Sequence, residues 1–218
     1  MATLLLIRHG QASYGEADYD KLSPLGFAQA RLVGALLASQ KIDALFSGPL
    51  RRQVETAAAL RETATAIPVA TVVPGLAEYP GFEMAKMFLA TNPSLALGER
   101  GFRAILTRWA RDEWRADGVE HVHAFTARVR AALETIIDAC ESGGRVAVVT
   151  SAGPIGVAVG LVFGATPHHM IGTSTVIKNA SITELVLRTT EFAWAPEKVS
   201  LVGLNALGHL PSSMQTAF

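Results

Sequence analysis

The sequence predicts an α/β fold: a three-layer sandwich on a mainly parallel central sheet, with a helical insertion at about residues 78–119. Three observations carry this. Short runs of consecutive aliphatic residues, as in TLLLI (3–7) and RVAVVT (145–150), have strand length and no polar alternation, as strands buried on both faces do. Helical periodicity fills the stretches between them, several entered through proline. Half of the 218 residues are hydrophobic, enough for one substantial core, so residues 1–218 are expected to form one domain.

Taken in order, Thr3 to Ile7 reads as a buried strand. Leu22 to Gln40 reads as a helix with Ser23-Pro24 as its cap and first residue, and with Leu25, Ala28, Leu32, Ala35, Leu36 and Ser39 on one face. DALFSG gives a short strand, PLRRQVETAAALRETA a second helix entered through proline, and Val69 to Val73 another strand. From Glu78 to about Val119 the strand rhythm stops. FEMAKMFLATN and FRAILTRWARDEWRA read as helices separated by NPSLALGERG, an insertion expected to pack over something. VHAFTARVRAALETIIDACE is a long helix ending near Gly143-Gly144. Arg145 to Thr150 is a buried strand, GPIGVAVGLVFG a Gly-rich apolar helix, and SITELVL and FAWAPEKVSLVGL two closing strands.

Composition narrows the function classes. Nineteen basic residues balance nineteen acidic ones, which argues against nucleic acid or an anionic membrane as partner. Cys140 is the single cysteine. It allows no intrachain disulfide, suits a reducing compartment, and shares an apolar helix face with Leu133, Ile136 and Ile137, so core packing is expected rather than nucleophilic chemistry. No apolar run approaches the roughly 20 residues of a membrane span, and the N-terminus does not read as a secretory signal. Cytoplasmic residence is the expectation.

The first strand runs straight into Arg8-His9-Gly10. In open parallel sheets ligands sit outside the carboxyl ends of strands, so a cation and an imidazole at that edge point to a site, with Gly10 allowing a sharp turn and close approach to a ligand. A strand-end loop with incidental polar residues is the competing reading.

Further residues bring a family into view. LIRHGQ (6–11) resembles the signature of the histidine phosphatase superfamily, which includes cofactor-dependent phosphoglycerate mutases and small phosphatases. LSPLGFAQA, FSGPLRRQVETA with Arg52, GLAEYPGF with Glu78, VEHVHAFTARV with Glu120 and Arg128, NASITEL with Asn179 and LNALGHL with Asn205 and His209 resemble later family segments in order, over nearly the whole chain. The resemblance implies a phosphoglycerate mutase-like fold and hydrolysis of a small phosphomonoester, with no cofactor and no metal. A phosphoryl group of about two negative charges needs fixed multidentate cations, which Arg8 and Arg52 supply. His9 would be the nucleophile while neutral, forming a phosphohistidine, and Glu78 the acid that protonates the leaving oxygen. Gly10, Gln11, Tyr14, Gly15, Tyr79 and Glu120 are candidate pocket residues.

One position departs from the pattern. Where the family strand ends in a second histidine followed by glycine, this chain has Ser151 and Ala152. Serine donates one hydrogen bond but carries no charge, and the amides of Ala152 and Gly153 open a helix and could add anion donors. Three readings follow: a working phosphatase in which Ser151 and these amides replace the imidazole, a phosphate-ester-binding protein with little turnover, or a serine hydrolase using Ser151 with Glu184 or Glu191 and His209. The last lacks the glycine two residues before the serine, where Val149 stands.

The remaining histidines invite a metal reading that spacing opposes. The rings of His121 and His123 should splay apart on a helix, and those of His168 and His169 should diverge likewise. His168 or His169 could alternatively fold into the pocket in place of the missing imidazole. Arg51, Arg61, Arg108, Arg111 and Arg115 read as solvent-facing, and Trp109 and Trp114 as core. Residues 82–118 should select the ester that enters, with Phe82, Met84, Met87, Phe88 and Leu89 as an apolar roof favouring an uncharged or aromatic leaving group. A phosphatase is expected over a mutase. Oligomeric state is not legible.

Overall fold

The computed structural model describes residues 1–16, 18–91, 99–188 and 191–217. Six strands form one sheet: β1 (Ala2–Arg8), β2 (Ala44–Ser47), β3 (Thr71–Val72), β4 (Arg145–Thr150), β5 (Ile182–Leu187) and β6 (Val199–Ala206), in the order β3-β2-β4-β1-β5-β6. β1, β2, β3 and β4 pair in parallel, whereas β5 runs antiparallel to both β1 and β6. The helices are α1 (Pro24–Leu37), α2 (Arg51–Thr63), α3 (Gly81–Thr91), α4 (Glu99–Ala110), α5 (Val122–Asp138), α6 (Ala152–Val162) and α7 (Pro167–Ser174).

The unbroken apolar run of β1 is explained by two cores. Leu4 and Leu6, with Val146 and Val148 of β4, face a core shared with α4, α5, α6 and α7. Leu5 and Ile7, with Ala147 and Val149, face a second core against Val33 and Leu37 of α1 and Leu60 of α2. Burial on both faces fills the middle of each strand with aliphatic residues, polar ones falling at the ends (Thr3, Arg8, Arg145 and Thr150). Met84, Ile105 and Trp109 from the inserted segment join the first core beside Phe125 and Ile155, so α3 and α4 share its packing. Cys140 is buried in this core and its thiol is pushed up to about 11 by burial.

Several expectations are corrected. α1 is capped by Ser23, whose hydroxyl accepts from the Gly26 N–H at 3.0 Å, but its inward face is rotated from the leucine-rich one. Gly26, Gln29, Ala30, Val33, Gly34 and Leu37 are buried, while Leu36 is 42% exposed. Small residues win because α1 lies nearly on its neighbours: a Cβ at Gly34 would stand 2.0 Å from the Leu60 carbonyl oxygen. The third strand shrinks to Thr71–Val72, since Val69 and Val72 point largely to solvent at the sheet edge. The last strand begins only at Val199, after turns through Ala193, Ala195 and Pro196. α4 ends at Ala110 rather than continuing through Trp114, because Asp112 adopts a left-handed backbone (φ 61°). α7 was not expected; it packs on the glycines of α6, where a Cβ at Gly156 would lie 2.3 Å from the Met170 carbonyl. Of the expected loop NPSLALGERG, Glu99–Gly101 begin α4 and 92–98 lie outside the described residues.

Candidate active site

The carboxyl ends of β1 and β4, the start of α2 and the turn after a 3-10 helix (Pro74–Leu76) converge on His9. Its ring is buried. Nδ1 stands 2.7 Å from the Gly10 carbonyl oxygen and must donate its proton there, while Nε2 accepts from Arg52 Nε at 3.0 Å and so keeps its lone pair. Burial first, then the charges of Arg52 and Arg8, hold the imidazole well below the ordinary histidine pKa. His9 is thus neutral with one tautomer fixed. Its own backbone is held by the Asn179 amide, which donates to the His9 carbonyl at 3.3 Å and whose oxygen accepts from Thr216 Oγ1 at 3.0 Å.

The two clamp candidates differ. Arg8 donates to the Ile177 carbonyl, and its Nε is buried without a hydrogen-bond partner. Arg52, at the second position of α2, also pairs with Asp20 at 2.5 Å and lies 5.6 Å over the Tyr19 ring. Both are brought to one site with Glu78, whose charge opposes the burial penalty on Arg8.

Glu78 sits on the start of α6. Each carboxylate oxygen accepts from the Gly153 N–H at 3.1 Å, and one also accepts from the Tyr79 N–H at 3.1 Å. Burial raises its pKa, opposed by these amides, Arg52 and Arg8. Gly153 is required for this approach, since a Cβ there would lie 2.0 Å from Glu78 Oε1. The Gly153 amide, expected to donate to phosphate, is engaged by Glu78 in this structure. Ala152, beside it, is buried. Behind Glu78, Arg128 donates to the Gly75 and Ala77 carbonyls at 2.8 and 3.2 Å and is paired with Glu120 at 2.7 Å. Glu120, expected as a possible pocket group, acts on this backbone through Arg128.

Ser151 is fully buried at the N-cap of α6, and its Oγ accepts from Gln53 Nε2 at 2.8 Å. Gln53 in turn donates to the Leu76 carbonyl at 3.2 Å and accepts from the Leu50 N–H at 3.0 Å. Because Ser151 accepts this bond, its single proton is left to donate elsewhere. Sequence reasoning missed Gln53; a buried glutamine beside Arg52 looks like any polar helix residue. His209 donates to the Ala180 carbonyl at 2.9 Å, so the serine hydrolase arrangement is not assembled. Asn205 likewise holds backbone, accepting from the Lys178 N–H at 2.8 Å.

Other expectations are sorted by contact. Gly10 serves close packing, since a Cβ there would lie 2.4 Å from the Gly26 carbonyl. Gln11 accepts from Ser23 Oγ at 2.9 Å at the start of α1. Tyr14 is 77% exposed beside Gly15 (φ 85°), with its ring 6.0 Å from Tyr19. Tyr79 packs against Trp109 and Phe125, and Trp109 donates to the Glu120 carbonyl at 2.9 Å. The apolar roof is partial: Met84 turns into the core, while Phe82 remains outside, 4.9 Å from Tyr19.

Arg61 is half-buried and bonds the Ile67 carbonyl. His121 and His123 do not splay apart. Their centroids are 5.2 Å apart, because His121 is the cap of α5 rather than within it, and both face Asp112. The rings of His168 and His169 are 5.6 Å apart; they meet Arg111 and Thr166 respectively and do not stand in for the imidazole.

The profile of the histidine phosphatase superfamily (branch 1) matches residues 4–198. A protein named putative phosphoserine phosphatase 2, from Hydrogenobacter thermophilus (strain DSM 6534 / IAM 12695 / TK-6), is 42% identical over 64 residues, 26% of this chain and 31% of that protein, so the chain spans under a third of that relative's length. Among solved structures, Bacillus stearothermophilus YhfR is similar with TM-score 0.75 and 16% identity, covering 97% of this chain and 100% of that one. A mycobacterial glucosyl-3-phosphoglycerate phosphatase gives 0.70 and 23%, covering 94% and 99%. Phosphoserine phosphatase from Entamoeba histolytica, a mutant in complex with phosphoserine, gives 0.67 and 18%, covering 97% and 100%.

Proposed function

Because the chain belongs to the histidine phosphatase superfamily, we propose that it hydrolyses a small phosphomonoester through a phosphohistidine on His9. The observation that carries this is the state of the His9 ring: buried, neutral, Nδ1–H tied to the Gly10 carbonyl and Nε2 unprotonated beside Arg52.

The phosphoryl group enters between the guanidinium groups of Arg8 and Arg52. Arg52 Nε exchanges its bond to His9 Nε2 for one to a phosphoryl oxygen, which exposes the lone pair. Nε2 attacks phosphorus, the ester P–O bond breaks, and the electron pair leaves with the ester oxygen. Glu78 in its acid form gives that oxygen a proton; burial and a nearby phosphate dianion both favour the protonated carboxyl. Water then attacks the phosphohistidine, the Glu78 carboxylate takes its proton, and the P–N bond breaks to return neutral His9 and release phosphate. Ser151, held by Gln53, donates its proton to a phosphoryl oxygen where the family has an imidazole. It supplies a hydrogen bond but no charge, which costs roughly one to three orders of magnitude in rate.

Hydrolysis of a generic aryl phosphate across pH 5 to 8 tests the reading, wild type beside His9→Ala. Loss of activity with His9, together with an acid-labile labelled protein intermediate in the wild type, supports it. Equal rates in the two proteins sink it. A binding role with little turnover is favoured by a separate observation, the Glu78 carboxylate already seated on the Gly153 amide. Vanadate binding without hydrolysis above the His9→Ala background would select that role.

A further inference from the structure

We infer that the rim of this site selects an aromatic leaving group over one bearing a carboxylate; the inference rests on the phosphate clamp proposed above. Arg52, which touches His9, stacks on Tyr19 at 5.6 Å. Tyr19 meets Tyr14 and Phe82 edge-to-face, at 6.0 and 4.9 Å. Tyr14 and Phe82 stand 77% and 62% exposed. A continuous aromatic path therefore runs from the clamp outward, ending in two rings that pack against little of the protein. Exposed aromatic surface adjoining a polar site is the expected signature of a ligand contact.

The charges along the rim point the same way. Lys21 is paired with Glu16 at 2.5 Å, Arg51 with Asp18 and Glu55, and Arg52 with Asp20. A second anionic group on the substrate would have to displace one of these carboxylates. Lys86 stands one turn beyond Phe82 on α3; a substrate carboxylate reaching it would reverse the preference. An uncharged ring has no such competitor and stacks against Tyr14 and Phe82.

The deciding experiment measures binding and turnover separately, because aryl esters are intrinsically good leaving groups. Equilibrium binding of 1-naphthylmethylphosphonate and methylphosphonate is measured on wild type, on Tyr14→Ala/Phe82→Ala and on Tyr14→Phe. The naphthyl compound should bind wild type about tenfold more tightly, about 1.4 kcal/mol. The gap should fall below about threefold in the double variant, and Tyr14→Phe should keep it, with inorganic phosphate affinity unchanged throughout. No gap in wild type, or a gap that survives loss of both rings, overturns the inference. In parallel, kcat/KM is compared for 1-naphthyl phosphate, O-phosphoserine and 3-phosphoglycerate. A preference for either carboxylate-bearing phosphate ester also overturns it. Absence of all turnover above His9→Ala defeats the phosphatase reading instead and leaves the phosphonate result to decide the rim.

Discussion

Replacing Gly153 by alanine tests whether the carboxylate on α6 is the proton donor. The added Cβ would lie 2.0 Å from Glu78 Oε1 and 2.8 Å from Tyr79 Cδ1. The carboxylate is about 1.5 Å short of ordinary contact. The oxygen is the far end of a flexible side chain, so Glu78 yields, and the Tyr79 ring, packed against Trp109 and Phe125, must give way beside it. Alanine is also preferred to glycine in a helix by up to about 1 kcal/mol, which offsets part of the roughly 1.5–3 kcal/mol carried by a hydrogen bond to a charged group. Stability should therefore change by no more than about 2 kcal/mol. Catalysis should suffer more, because a misplacement of about 1 Å costs roughly 10²-fold, or about 2.7 kcal/mol of barrier. The loss should depend on the leaving group. An alkyl phosphate needs the proton and should slow by about 10²; a 4-nitrophenyl ester needs it far less and should slow by less than about tenfold. Steady-state kcat for both esters, with a melting curve for each protein, makes the comparison. Equal slowing of the two esters would refute the assignment of Glu78 as acid.

Two further predictions follow from buried polar groups. Gln53→Leu leaves Ser151 without its donor and the Leu50 N–H without its acceptor, while the Leu76 carbonyl keeps Thr150, so kcat should fall about tenfold and stability by about 1–3 kcal/mol. The kcat losses of Gln53→Leu and Ser151→Ala should not add in the double variant, and additive losses would show that Gln53 does not act through Ser151. His9 should make the wild type sensitive to acid. Its folded pKa lies below its unfolded value near 6.5, so the unfolded chain takes up the proton first; stability is full above 6.5 and is lost as pH falls toward the folded value. The Tm of wild type should drop relative to His9→Asn between pH 7 and 5, and parallel curves would contradict the neutral buried ring.

The strands β1 and β4 were legible because burial on both faces leaves an uninterrupted aliphatic run at the middle of each, Leu4–Ile7 and Val146–Val149. The inward face of α1 was misread for a related reason. Hydrophobicity ranks leucine above glycine, but α1 approaches α2 at Gly34 and the Gln11 backbone at Gly26 so closely that no side chain fits at either position. His9, Arg8, Arg52 and Glu78 could be picked out by residue type and resemblance, and the fold does gather them. The contacts that set their chemistry were not legible. The hold of Gln53 on Ser151 spans 98 positions and that of Gly153 on Glu78 spans 75, and neither leaves a local pattern. Gly10 shows the same limit from the other side: its lack of a side chain makes room for the Gly26 backbone, a contact 16 positions away that no local pattern marks.

The anchoring of the His9 backbone bears on when in its synthesis the protein gains a working site. Asn179 reaches the His9 carbonyl, Thr216 holds Asn179, and Gln29 donates to both Met214 and Thr216. These contacts join residues 170 to 187 positions apart or close over such a loop. Pairings so distant in sequence form late, after local helices and hairpins. A nascent chain on the ribosome therefore carries Arg8 and His9 from the start, yet the His9 carbonyl gains its Asn179 partner only after the segment from Asn179 to Thr216 has emerged.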